Sequence, residues 1–292
     1  MTAPSGPLPR ALRWLLDALG LKRQRAVRKV PILGVEGSGK SSLIVTLGQY
    51  VSVERLGAVS LESMPLFLSL LPHVQRGTPQ PATVRYSPFH VELKSIREPD
   101  GSLLPVDLVL SSEDIPGQDF RFLCAEVKRN PNLAVDGAGA GAEVLRRFRD
   151  LLTGCHGFVF VVDLLRDLDP AVFRSDPVTH IGRAYADQVE PIMVAILLAA
   201  RGNAVLAHKP MYFVFSKPDL HGLPPERVVK DFEHLMAIPL GPLRTALVNI
   251  GQYDVQCAGW QMDTCLAGLG IERFLSDLAH ATGAVTAPGS QP

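Results

Sequence analysis

The residues whose types and spacing could do chemistry begin at Gly34-Val35-Glu36-Gly37-Ser38-Gly39-Lys40-Ser41, which fits G-x-x-x-x-G-K-[ST] at every defined position. Glycines in such a turn let consecutive backbone N–H groups point inward around phosphate oxygens. A helix opening at Lys40 would add the positive end of its dipole. Lys40 can reach the β- and γ-phosphates, and the Ser41 hydroxyl can ligate Mg²⁺. Glu36 is the discordant member. A carboxylate beside a γ-phosphate repels it unless it points outward or meets a cation, so fast unaided hydrolysis is not expected.

Two further clusters carry chemistry. Asp114-Ile115-Pro116-Gly117-Gln118 follows a run with strand character, Val106 to Leu110. An aspartate at a strand end can hold a Mg²⁺-bound water, the Gly117 N–H can meet a γ-phosphate, and Gln118 can orient an attacking water. Asp163, closing the apolar run Phe158 to Val162, is the competing acid. Asp114 is preferred, because nothing after Asp163 supplies the jobs of Gly117 and Gln118. Ser216-Lys217-Pro218-Asp219 follows a second apolar run, Met211 to Phe215. A carboxylate in that place suits a base that presents paired donors, and such pairing discriminates by factors of about 10⁴ or more.

With these boxes in this order, the chain resembles the TRAFAC-class, Ras-like P-loop GTPases, in a large bacterial-type variant with insertions. The resemblance implies GTP or GDP as ligand, with Mg²⁺. It implies nucleotide contacts from Gly34, Glu36, Gly37, Ser38, Gly39, Lys40, Ser41, Ser42, Gly117, Lys217 and Asp219. Cys257-Ala258 stands where the family has Ser-Ala, and Ser216 where it has Asn or Thr. The metal would be held by Ser41, Asp114 and a switch threonine. Thr83, which abuts the next strand, is favoured for that part over Thr78. Gln118 and Lys40 would carry the chemistry, and Arg76 is a candidate internal arginine finger. Two other readings stay open: an adaptor that binds guanine nucleotide without useful turnover, and a P-loop ATPase.

These residues need a scaffold that delivers them to one edge. Buried runs alternate with helical stretches from Val30 onward, which calls for an α/β fold: a mostly parallel sheet with one antiparallel hairpin strand and helices on both faces. Pro31 falls where a central strand should begin and cannot donate to a ladder, so a short first strand is expected. Helices are expected at Ser41–Val51, Asp119–Lys128, Glu143–Leu152, Pro224–Met236 and Ile271–Ala281, and a long one over Val178–Arg201 bent at Pro191. Two strands, Val84–Ser95 and Leu103–Ser111, form the hairpin, and Val255–Gln256 is the last strand. Residues 52–82 read as an irregular insertion with a short Leu-rich helix at Leu66–Leu71, and 129–142 as a mobile Gly/Ala loop. The domain would cover 30–281, between a basic amphipathic N-terminal segment, 1–29, and a flexible tail, 282–292.

Composition narrows the partners. The chain has 292 residues, 47% hydrophobic and 20% charged, enough for a sizeable core. Lys plus Arg equals Asp plus Glu at 29 each, so no global charge pulls toward nucleic acid, and none is expected as a partner. Cys124, Cys155, Cys257 and Cys265 show neither C-x-x-C nor zinc spacing, and no secretory signal is read, so a cytoplasmic protein is expected. The first 29 residues carry seven basic groups against one acid. Their segment 8–29 offers a face for a protein partner or for peripheral contact with an anionic membrane. A protein regulator or effector is expected as well, because such sites hydrolyse slowly alone.

Overall fold

In a computed structural model, residues 26–53, 57–76, 89–93, 106–111, 117–130, 132–166, 168–201, 209–217, 222–237, 253–256 and 271–284 are described. They build a seven-stranded sheet with helices on both faces. The order of elements is β1 (Val27–Leu33), α1 (Lys40–Val53), β2 (Gly57–Val59), α2 (Met64–Arg76), β3 (His90–Leu93), β4 (Asp107–Ser111), α3 (Gly117–Arg129) and α4 (Ala140–Gly154). Then follow β5 (Phe158–Asp163), α5 (Pro170–Ser175), α6 (Pro177–Ala184), a π-helical turn (Tyr185–Val189), α7 (Glu190–Ala200), β6 (Met211–Ser216), α8 (Pro225–Ala237), β7 (Tyr253–Gln256) and α9 (Ile271–Ala284). Across the sheet the strands run β2-β3-β4-β1-β5-β6-β7. Only β3 runs against the rest, pairing antiparallel with β2 and β4, as the hairpin reading requires.

The alternation of side chains splits two cores across the sheet. Phe158, Phe160 and Val162 of β5, with Met211, Phe213 and Phe215 of β6, face α3, α4, α7 and α8. Val159, Val161, Tyr212 and Val214 face α1, α2 and α9. The first core is aromatic at its centre: the Phe160 ring meets those of Phe120, Phe158 and Phe213, and Phe232 of α8 meets Phe213 and Phe215. Truncating one such ring to alanine typically costs about 3–5 kcal/mol. These strands are therefore stiff mounts for whatever their C-terminal ends carry.

Four expectations need correction. The first strand is not short: β1 starts four residues before Pro31. It pairs with β4 from Val27 to Pro31 and changes to β5 only at Ile32. The Lys29 N–H donates to His156 Nδ1 at 3.1 Å, and the Lys29 carbonyl accepts from the His156 N–H at 2.8 Å. Alternate residues of a parallel strand face the same neighbour, so the missing Pro31 N–H falls on the β5 side, where the ladder has not yet begun.

The segment 52–82 is not irregular over its described part. Helix α1 runs to Val53, β2 adds an edge strand and α2 spans Met64–Arg76. The stretch 129–142 is pinned rather than loose, because Leu133 and Val135 are buried in the first core and α4 already starts at Ala140. The tail begins later than 282, since α9 continues to Ala284 and Thr282 is fully buried, donating to the Leu278 carbonyl at 2.7 Å.

The long helix over 178–201 is broken, as its proline suggests, but by a wider turn. The Glu190 N–H reaches back five residues to the Tyr185 carbonyl, and Pro191 then occupies the first turn of α7, where its absent N–H is harmless. The N-terminal segment before residue 26, Thr78, Thr83, Asp114, Asp219, Cys257 and Ala258 lie outside the described residues, as does the chain after residue 284.

Candidate functional site

The loop between β1 and α1 is closely fitted to the sheet. A Cβ on Gly34 would stand 2.6 Å from the Val161 carbonyl of β5 and 2.6 Å from Ser38 Oγ, so only glycine is accommodated without a shift. Gly39 has φ +94°, in the left-handed region that disfavours side chains. A short turn closes where the Ser38 N–H donates to the Val35 carbonyl at 3.2 Å. Helix α1 starts at Lys40 with Ser41 and Ser42 half-buried in its first turn. The donor-rich, positive end of that helix therefore opens directly off the loop.

Two side chains define the loop's chemistry. Ser38 is 1% exposed, and its Oγ has no hydrogen-bond partner in the protein. An orphaned buried hydroxyl costs about 1–3 kcal/mol, so the loop is built to receive a polar group. Lys40 Nζ donates to the carbonyls of Gly34 at 2.6 Å and Val35 at 2.8 Å, spanning the loop from beneath. Burial pushes the Lys40 ammonium down to about 8, against the opposing pull of the Glu36 carboxylate. Glu36 itself is exposed at the tip, away from the buried wall.

The ends of β5 and β6 form the neighbouring wall. Ser216 is fully buried, its Oγ donates to the Val162 carbonyl at 3.3 Å, and its Cβ lies 3.4 Å from where a Gly39 Cβ would be. Ser216, the first residue of the Ser-Lys-Pro-Asp run, is thus brought against the phosphate loop. Lys217 follows at φ +60°, a left-handed backbone unusual for lysine. Its ammonium meets Asp163 Oδ2 at 2.5 Å. The other Asp163 oxygen accepts from the Leu165 N–H at 3.0 Å, so this carboxylate is fully engaged inside the protein.

Gln188, from the π-helical turn, completes the arrangement. Its Nε2 donates to the Asp163 carbonyl at 2.6 Å and its Oε1 accepts from the Asp163 N–H at 3.0 Å, with the side chain buried. Sequence reading missed Gln188. The available signal was Pro191, which forces the preceding turn to widen and rotates Gln188 toward the sheet.

Gly117 and Gln118 are the first two residues of α3, and Arg76 is exposed at the last residue of α2. The phosphate fit is direct: orphaned hydroxyl, close-packed glycine, lysine and helix terminus converge at one loop. For magnesium the described donor is the Ser41 hydroxyl, hard oxygen chemistry that suits the ion. Among the described residues no group of three or more His, Cys, Asp or Glu could hold a metal ion, and no helix is long and apolar enough to cross a membrane.

No protein-family model matches the chain, and no curated protein matches it by sequence. Among solved structures, it is similar to an ADP ribosylation factor-like GTP binding protein (Small COPII coat GTPase SAR1) from Encephalitozoon cuniculi in complex with GDP, at 12% identity and a TM-score of 0.39, covering 93% of this chain and 89% of that one. It is also similar to the S. cerevisiae Ski7 GTPase-like domain bound to GDP and inorganic phosphate, at 12% identity and a TM-score of 0.44, covering 93% of this chain and 53% of that one.

Proposed function

We propose that the chain binds GTP and GDP with Mg²⁺ and acts as a switch, hydrolysing GTP slowly under the control of a protein partner. The observation that carries this reading is the junction of the phosphate loop with the Ser216–Lys217 segment. A loop that presents glycine amides, the Ser38 hydroxyl and Lys40 lies in contact, through Gly39, with the strand end that continues into Asp219. Asp219, the carboxylate assigned to the base in this reading, follows Ser216 by three residues in the sequence.

In this reading Gly34 to Ser42 cradle the phosphates, and the magnesium ion supplies charge neutralisation on them. Ser41, Asp114 and Thr83 (or Thr78) are its ligands. The Gly117 N–H meets the terminal phosphate and Gln118 orients water. Lys217 and Asp219 read guanine, with Cys257 and Ala258 closing the base side. Residues 30–281 form the nucleotide domain, and 1–29 supply a contact for a partner or an anionic membrane.

Competition of GDP, GTP, ADP and ATP against a fluorescent guanine nucleotide tests the base assignment. Guanine forms should win by orders of magnitude, and Asp219→Asn should shift preference toward xanthine nucleotides. Equal competition by ATP would instead indicate an ATPase. Single-turnover phosphate release from GTP, with Lys40→Ala as control, tests the activity. Glu36 at the loop tip favours the adaptor reading, in which bound GTP survives long incubation while affinity is retained.

A further inference from the structure

Asp163 ends β5 beside the place where β1 has turned away. Pairing of β1 with β5 stops at Leu33 and Phe160, as the chain leaves for the phosphate loop. The Val161 carbonyl faces that loop, 2.6 Å from where a Gly34 Cβ would be, while the Val162 carbonyl faces β6 and accepts from Ser216 Oγ. Alternate residues of a strand face the same neighbour, so the Asp163 N–H and C=O point to the side that β1 has vacated. Gln188 fills that place. Its Oε1 accepts from the Asp163 N–H at 3.0 Å and its Nε2 donates to the Asp163 carbonyl at 2.6 Å. A carboxamide offers the same donor and acceptor as a peptide group, so one side chain lengthens the ladder by one residue.

We propose that Gln188 is a positioning residue for Lys217, acting through Asp163, and that the π-helical turn ties this placement to α3; its effect on nucleotide rests on the base-side part given to Lys217 above. Asp163 is held at every polar group. Gln188 holds its main chain, the Leu165 N–H holds Oδ1 at 3.0 Å, and Oδ2 meets the Lys217 ammonium at 2.5 Å. Asp163 and Gln188 are both buried, so water does not replace the carboxamide. Lys217, at φ +60°, is the one non-glycine residue of positive φ among the described residues. Its backbone is thus set by the turn and its ammonium by a carboxylate that Gln188 keeps in place.

The π-helical turn decides that Gln188 is the residue delivered. A regular helix advances about 100° per residue, so the extra residue of the wide turn changes which side chain meets β5. Asp187, the residue before Gln188, reaches instead to Lys128 in the last turn of α3, at 2.9 Å, with Arg183 farther off at 3.7 Å. Helix α3 also packs on α7, which continues the turn. Its first residues are Gly117 and Gln118, those assigned to the terminal phosphate and the water. Two consecutive residues of one turn therefore hold α3 and the end of β5.

The Lys217 ammonium reports its own placement. The nucleotide-free, full-length protein is treated with an amine-selective acetylating reagent, and labelled lysines are mapped by mass spectrometry. Lys217 should react about threefold faster or more in Gln188→Leu than in the native protein, the release expected when a neutral hydrogen-bonded amide is lost. Lys209, buried at the other end of β6, should stay unlabelled in both, which separates local release from loss of the fold. If Gln188→Leu exposes Lys209 as well, Lys128→Gln, at a half-exposed position, repeats the measurement, and Lys217 should again react faster.

Affinity for fluorescent GDP should fall about threefold in Gln188→Leu, and that loss should vanish in a Lys217→Ala background, because the effect passes through Lys217. A merely structural residue would give the same loss in both backgrounds. Unchanged Lys217 labelling in the folded variants, or an equal loss of GDP affinity with and without Lys217, would overturn the proposal. A native protein with no affinity for guanine nucleotide would refute the base assignment alone, and the labelling would still decide whether Gln188 places Lys217.

Discussion

Lys217 and Asp163 form an ion pair at 2.5 Å although 54 residues separate them, because β5 and β6 run parallel in register and end together. The Asp163 carboxylate is buried and the Lys217 side chain is about a third exposed, so the pair lies between the surface and interior regimes. Its consequence is positional. A lysine held at φ +60° by a carboxylate has one placement beside the phosphate loop rather than many.

If Lys217 lies along a guanine base as proposed, freeing it should weaken nucleotide binding. Asp163→Asn keeps the shape and the bond from Leu165 but removes the charge. A hydrogen bond to a charged group is worth about 1.5–3 kcal/mol, and partial solvation of the lysine favours the lower end. Affinity for fluorescent GDP should therefore fall roughly tenfold, and Gln188→Leu, which loosens only the Asp163 main chain, should fall less. Unchanged GDP affinity in a folded Asp163→Asn protein would show that the pair does not position a base-reading group.

Lys40 gives the pH dependence its sign. Burial lowers its pKa to about 8, and only the charged form attracts phosphate. A bound phosphate would stabilise the ammonium and raise that pKa. Below about 8 the lysine is protonated both with and without phosphate, and affinity should be flat. Above about 8 the protein must take up a proton to bind, so affinity should fall with rising pH, approaching tenfold per unit. Calorimetry at pH 8.5 in two buffers of different ionisation enthalpy should detect that proton uptake. Lys40→Arg, charged throughout, should lose the pH slope, and a slope identical to that of the native protein would assign the titration elsewhere.

Local signals made much of the site legible in the sequence. The loop from Gly34 to Ser41 announces itself by residue type, and β5 and β6 by continuous apolar runs whose alternate members serve two cores. The hairpin direction of β3 was also readable, because β3 and β4 are close in the chain. What escaped depends on distant pairing. Pro191 signals a disturbed turn before it but not that Gln188 will clamp Asp163, since the contact exists only after the π-helical turn has rotated that side chain inward. The early start of β1 was hidden by Pro31, whose missing donor matters only if the neighbouring ladder has begun. The turns after α3 read as loose by composition, yet Leu133 and Val135 tie them to the core.

Gly34→Ala isolates the backbone of the loop from its charges. The added Cβ would meet the Val161 carbonyl and Ser38 Oγ, both at 2.6 Å. A carbonyl in a central strand cannot step aside cheaply, so the loop must move instead. Overpacking of this kind costs about 1–3 kcal/mol, and the displaced amides should lose most of their grip on phosphate. Denaturant titration should show the modest stability loss and nucleotide titration the large affinity loss. Native affinity in this variant would mean that the loop conformation seen here is not the binding one.

Lys209 offers the opposite case, a large stability effect remote from the loop. Its ammonium is buried and donates to the carbonyls of Leu152 at 2.6 Å, Thr153 at 2.7 Å and Cys155 at 2.5 Å, which closes the C-terminal end of α4. Burial lowers its pKa, so the charge is held at a cost that these three acceptors offset. Lys209→Met removes both the cost and the donors. The donors should win, because the carbonyls of Thr153 and Cys155 lose this donor and Leu152 keeps only the Cys155 thiol, and a loss of about 2–3 kcal/mol is expected. Urea unfolding should measure it, and amide exchange should quicken over the last turn of α4. Lys209 precedes β6, whereas the phosphate loop borders that strand's far end at Ser216, so GDP affinity per folded molecule should stay within about twofold of the native value. A larger loss of affinity would mean that the end of α4 communicates with the loop through β5 and β6, and the two ends of the sheet would then have to be treated as one unit.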